Sequence, residues 1–216
     1  MYFWFSCLGL LGGLLCCTGD ILFDLKGPGN KKLGTSGNID SNWINMSDWR
    51  FGLSIALAMV GDALVGLGFY SIGMQIAQTR PVLGYLTLGF GYFGAVAGVF
   101  IHAFVCMQAL IYKGALIRGT FETADDILEK LYKQVMPTFA AGYISLLFPT
   151  FTVIIAILNG ALDVPKICVL LNPVVFLIFG LGCRKIDPVR FQDLPGIIMP
   201  SLGLAMFGLI GMLNLL

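Results

Sequence analysis

Charge is what this chain has least of. Lys, Arg, Asp and Glu make up 12% of its 216 residues, while 57% are hydrophobic; a soluble domain carries about a quarter charged residues. With a mean hydropathy of +0.88 and the apolar residues gathered in long blocks, a water-soluble globular protein is excluded. Histidine is nearly absent: His102 stands alone, which excludes a zinc site built on several imidazoles. One histidine with carboxylates still leaves a metal of another type open. The six cysteines form no paired C-x-x-C element, and Cys7, Cys16, Cys17, Cys106 and Cys168 lie inside apolar runs, where a small thiol packs well. Cys183, beside Arg184, sits at the end of a run, where reversible acylation is only weakly signalled. No Lys or Arg precedes the first apolar run and no small-residue cleavage site precedes Asp20, so that run is expected to be retained. A net charge of +1 and the lack of any supporting motif set aside nucleic-acid recognition, nucleotide binding and sulfur chemistry, while the question of a cofactor stays open.

What is there is a series of apolar blocks of membrane-crossing length. A helix needs about 20 residues to cross ~30 Å of hydrocarbon. Spans are predicted at 2–25, 51–77, 82–112, 137–159, 164–183 and 196–216, giving an all-α polytopic bundle of six transmembrane helices in one domain, 1–216. Between the third and fourth spans, Thr123-Ala124-Asp125-Asp126 reads as a capped helix start. Ile127, Leu128, Leu131, Tyr132 and Val135 follow at helical spacing, which predicts an amphipathic helix at the cytoplasmic interface. Pro149 and Pro173 are expected to kink span interiors. Trp43 and Trp49 suggest that the loop before the second span returns along the headgroup layer. Eleven basic residues fall in loops 26–50, 113–136 and 184–195, and only Arg80 and Lys166 on the other side, so these loops are expected to be cytoplasmic and both termini outside.

Few polar groups interrupt the spans, and those few are the candidate site. Asp62 lies twelve residues beyond Arg50, roughly 18 Å of helix and near mid-membrane, where an acid is a functional hypothesis by default. His102 lies eleven residues before Lys113, roughly 16 Å, nearly the same depth. It continues a ridge of Gly94 and Gly98 that faces protein rather than lipid, so the two groups are expected to meet as an acid–base couple. Asp20 and Asp24 are one turn apart and precede Lys26, Lys31 and Lys32 in a glycine-rich loop, which suits holding a headgroup or cation. The plainer reading of that loop is an interfacial helix end with ion pairs. Gln108 is six residues from His102 toward the basic end and is a further candidate for substrate binding.

The stretch Gly19-Asp20-Ile21-Leu22-Phe23-Asp24-Leu25-Lys26-Gly27, with Asn42-Trp43 and Trp49-Arg50-Phe51, resembles a family of bacterial integral membrane proteins of unknown function, over essentially the whole chain. More loosely, Gly61-Asp62 and His102 are similar to the Gly-Asp dipeptide and later histidine of lysoplasmalogenases, a resemblance that implies acid–base hydrolysis of a lipid ether. The chain has fewer spans than that family and carries Val105 where an aromatic is expected. It lacks the Asp-Gly and Ala-Arg elements of CDP-alcohol phosphotransferases.

The expected function is therefore that of a cell-membrane protein acting on a lipid-like substrate by acid–base hydrolysis, with Asp62 and His102 catalytic and Asp20, Asp24, Lys26 and Gln108 binding. Its expected partners are the bilayer and an amphiphilic ligand, with oligomeric state and metal binding left open. A transporter or proton-coupled carrier using the same residues, and a non-catalytic immunity or sensory partner with an apolar interior around Asp62, are the alternatives.

Overall fold

The computed structural model describes all residues, 1–216. Hydropathy dictates the long helices and turn chemistry their ends. Helix α1 spans Tyr2–Asp24 and stops before Gly27 and Gly29, whose φ of 82° and 78° no helix continues. Helix α2, Asp48–Ala77, follows the extended Ser47, and α3, Pro81–Arg118, opens on a proline whose fixed φ suits a first turn. Helix α4 runs Phe121–Leu158, α5 Pro173–Ile186, α6 Leu194–Ile198 and α7 Ser201–Leu213.

Five helical stretches are long and apolar enough to cross a membrane: α1, α2, α3, α4 and Leu194–Leu213, the last broken between α6 and α7 at Met199–Pro200. The expected fifth span at 164–183 is instead a 3-10 turn, Lys166–Leu170, followed by the 14-residue α5. Fourteen residues reach about 21 Å, short of the hydrocarbon thickness. The reason lies in Pro165, Asn172 and Pro173, which break the run before it becomes one helix. Asn172 caps α5 by accepting from the Val174 and Val175 amides, so Pro173 starts a helix and does not kink one.

The separate amphipathic helix is also corrected. Its residues form the first turns of α4, whose start is set by the Thr120 hydroxyl accepting from Thr123 N, and Pro137 and Pro149 lie inside that helix. Asp125 is not a capping acid; it accepts from the Thr35 amide and hydroxyl in a hairpin of β1, Lys32–Leu33, and β2, Ile39–Asp40. Trp43 does not present its ring outward to lipid headgroups. It is buried with Phe23, Phe51 and Tyr112 under that hairpin, whereas Trp49 is exposed.

Tight crossings between small residues hold the bundle together. Helix α1 is central, packed antiparallel between α2 and α7. A Cβ on Gly9 would lie 2.5 Å from Gly68 Cα, and one on Gly13 2.5 Å from Ala205 Cα. Helix α2 continues onto α3 and α3 onto α4, where Thr87 and Thr152 hydroxyls meet at 2.7 Å. Large apolar side chains such as Leu53, Val60, Phe93, Val96, Ile144 and Phe151 face outward, as a bilayer environment requires. Because Gly9 meets backbone and not a movable side chain, Gly9→Val should lower stability by about 1–3 kcal/mol. Thermal unfolding in detergent measures this, with Gly52→Ala, where nothing lies near the added carbon, as the control.

Candidate functional site

Three helices bring their polar residues to one chamber of about 230 Å³. Asp20 and Asp24 come from α1, Asp62 from α2 and His102 from α3, with Tyr143 of α4 and Ser201 of α7 also on the wall. The crossings explain the convergence. At Gly19 a side chain would press on both Ser54 and His102, and at Gly98 a Cβ would lie 2.8 Å from each Asp62 carboxylate oxygen. The glycine ridge of α3 thus does two things: Gly94 lets Leu146 of α4 approach, and Gly98 leaves room for Asp62.

His102 does not pair with Asp62. Its Nδ1 lies 3.6 Å from Asp20 Oδ1 and its Nε2 lies 2.9 Å from Ser54 Oγ. The depth argument missed by a turn. Asp62 packs at Gly98, four residues from His102 along α3, about 6 Å, so the site has two levels. Ser54, fully buried, donates to the Gly19 carbonyl at 2.8 Å and receives a 3.5 Å contact from the Cys106 thiol. A hydroxyl has one proton; with that proton on the Gly19 carbonyl, Ser54 can only accept from His102. Nε2 therefore carries a proton, and Nδ1 presents its lone pair or a second proton toward Asp20. At 3.6 Å the Nδ1–Oδ1 gap is too long for a good direct hydrogen bond. Asp20 Oδ2 has no partner although Asp20 is only 6% exposed.

Ser54 was not legible as a site residue, since a serine within an apolar run reads as a small packing residue. Ser54→Ala leaves two buried groups unpaired and should cost about 1–3 kcal/mol. Because His102 is the only histidine, nitrogen resonances of histidine-labelled protein report this ring alone. They should show the Nε2–H form in the wild type and a mixed population in the variant.

Toward the basic end, Asp24 and Gly196 are shared between the chamber and a polar pocket of about 400 Å³. Lys26, Asn30, Lys32, Asp40, Arg184, Gln192 and Asp193 line that pocket. Lys26 Nζ lies 2.7 Å from Asp24 Oδ1 and 3.7 Å from Asp40 Oδ2, and Lys32 reaches Asp40 at 3.0 Å. Asp193 accepts from the Lys26 and Gly27 amides, tying the α5–α6 connection to the loop after α1. Asp24 and Lys26 thus stand at the mouth between chamber and pocket, paired with each other. Gln108 is buried with its Nε2 unpartnered and lines neither space. On the opposite flank, Tyr143, Leu146, Met199 and Pro200 are shared with an apolar groove of about 170 Å³ between α4 and α5.

Residues 4–216 match a family of unknown function, DUF6796. The chain belongs to that family. No curated protein and no solved structure matches it, lysoplasmalogenases included. Membership of DUF6796 therefore supports the uncharacterised-family reading of the Gly19–Gly27 stretch and assigns no chemistry to Asp20, Asp62 or His102.

Proposed function

We propose that this chain is a membrane enzyme acting on a lipid-like amphiphile by general acid–base hydrolysis. The observation that carries the reading is the chamber itself: Asp20, Asp62 and His102, from three helices, face one cavity that meets a polar pocket on one side and an apolar groove on the other. Such a space suits a molecule with a polar head and a hydrocarbon tail. A non-catalytic partner would more simply fill the surroundings of Asp62 with packed apolar side chains.

In this reading water reaches the chamber past Asp24 and Gly196. One of Asp62 and His102 takes a proton from that water as its oxygen bonds to the substrate, and the other gives a proton to the departing group, so atoms and charge balance. His102 acts from Nδ1, the nitrogen that the Ser54 contact leaves free, with Asp20 facing it across a 3.6 Å gap, and Lys26 with Asp24 shapes the water-side mouth. Helix α5 with the 3-10 turn before it makes a sixth, broken crossing: Asp163 N bonds Asn214 Oδ1 near the C-terminus, while Gly180 packs on Pro195 toward the basic end. The excess of Lys and Arg then faces the cytoplasm and both termini face outward.

The test is incubation of the purified protein, reconstituted in liposomes, with membrane lipid extracts and mass spectrometry of the products. A time-dependent product that disappears in Asp62→Asn and His102→Ala supports the enzyme. Unaltered lipid together with solute flux across the vesicle wall replaces it with a carrier.

A further inference from the structure

We propose that the chamber and the adjoining groove bind one molecule, an amphiphile with a cationic ammonium head in the chamber and an alkyl chain between α4 and α5. This rests on the reading of the site as one for an amphiphile and adds which head it selects.

The charges carry the argument. Asp20, Asp24 and Asp62 line the chamber, and no Lys or Arg does. Asp24 is neutralised by Lys26 outside the wall. Asp20 and Asp62 have no Lys or Arg partner, and Asp20 Oδ2, though buried, has no hydrogen-bond partner in good geometry, with Ser201 beside the carboxyl on the same wall. Burial without a countercharge disfavours an ionised acid, so Asp20 and Asp62 gain from a head that supplies one: an ammonium brings positive charge and three N–H donors, whereas a carboxylate or phosphate head brings neither.

The chain follows from continuity. Tyr143, Leu146, Met199 and Pro200 belong to both spaces, and beyond them the groove is walled by Ile144, Leu147, Val174 and Leu177 with no charged residue. Its position at the break between α6 and α7 opens the chamber sideways, so the tail remains among hydrocarbon while the head turns inward.

The experiment measures equilibrium binding to purified protein in nanodiscs, at neutral pH, of four probes: dodecylamine, dodecanol, dodecanoate and methylamine. Dodecylamine is expected to bind saturably and at least about ten-fold tighter than each of the others. Asp20→Asn is expected to remove the preference over dodecanol, and Leu147→Trp, in the groove wall, to weaken dodecylamine while leaving methylamine unchanged. Equal or tighter binding of dodecanol or dodecanoate by the wild type, which needs no variant to fold, overturns the proposal. So does methylamine binding as well as dodecylamine. Amine selectivity without any lipid product defeats the enzyme reading and leaves this one standing. Lipid turnover without amine selectivity does the reverse.

Discussion

His102→Ala and Asp62→Asn are each expected to lower turnover in the proposed hydrolysis by about 10²–10⁴-fold, the range that positioned acid–base groups supply. Both line the chamber, on levels one helical turn apart, with room for a reacting bond between them. The loss should fall on kcat, because in the proposed mechanism each group acts on protons that move only in the transition state. Stability should respond differently. Asp62 has no basic partner, so its neutral isostere removes a buried acid without stranding a cation. Asp62→Asn is then expected to unfold at the same temperature as the wild type or higher. A loss of activity that merely follows a loss of fold would contradict both roles. Asp62→Glu should be poorly active as well, since the longer side chain drives its carboxylate toward Gly98.

Lys26→Met is expected to cost about 3–5 kcal/mol, the largest effect on stability, because it removes the cation from a buried network and leaves its carboxylates behind. The Lys26 side chain is 7% exposed, and Asp40 beside it 3%. The ammonium also lies over the Phe23 ring at 5.2 Å. Burial alone would lower the Lys26 pKa, but Asp24, Asp40 and Asp193 together outweigh it and hold the value above the ordinary 10.5. A folded-state pKa above the unfolded one means that this stabilisation is complete below about pH 10 and is lost as pH rises through the folded value. Chemical unfolding of wild type and variant at neutral and strongly alkaline pH should therefore show a gap that narrows only at the alkaline end. A gap that does not depend on pH would assign the effect to packing of the lysine stem.

Hydropathy made α1, α2 and α3 readable to within a few residues at most ends, since a long apolar block in a chain this poor in charge has few ways to satisfy its backbone other than a helix. It was a poorer guide to α5, where Pro165, Asn172 and Pro173 cut an apolar block into a turn and a short helix. It also failed at α4, where a change from amphipathic to uniformly apolar sequence suggested two elements and the backbone ran through both. The hairpin over α4 escaped notice because its strands are two residues each, too short to show alternation.

The residues that matter in the site divide in the same way. Counting along single helices located Asp62 and His102 as buried polar groups, because depth in a membrane is a property of sequence position. It could not choose between Asp20 and Asp62 as the histidine's neighbour, nor reveal Ser54 or Gly196, because rotation about the helix axis and the shift of one helix past another are fixed by packing. Composition by itself decided that this is an all-α, bilayer-suited protein with a handful of ionisable groups within it. Which of those groups share a cavity, and where that cavity opens, was decided by close contacts such as Gly9 on Gly68 and Gly98 on Asp62, since only the approach of one helix surface to another sets register between chains of side chains distant in sequence.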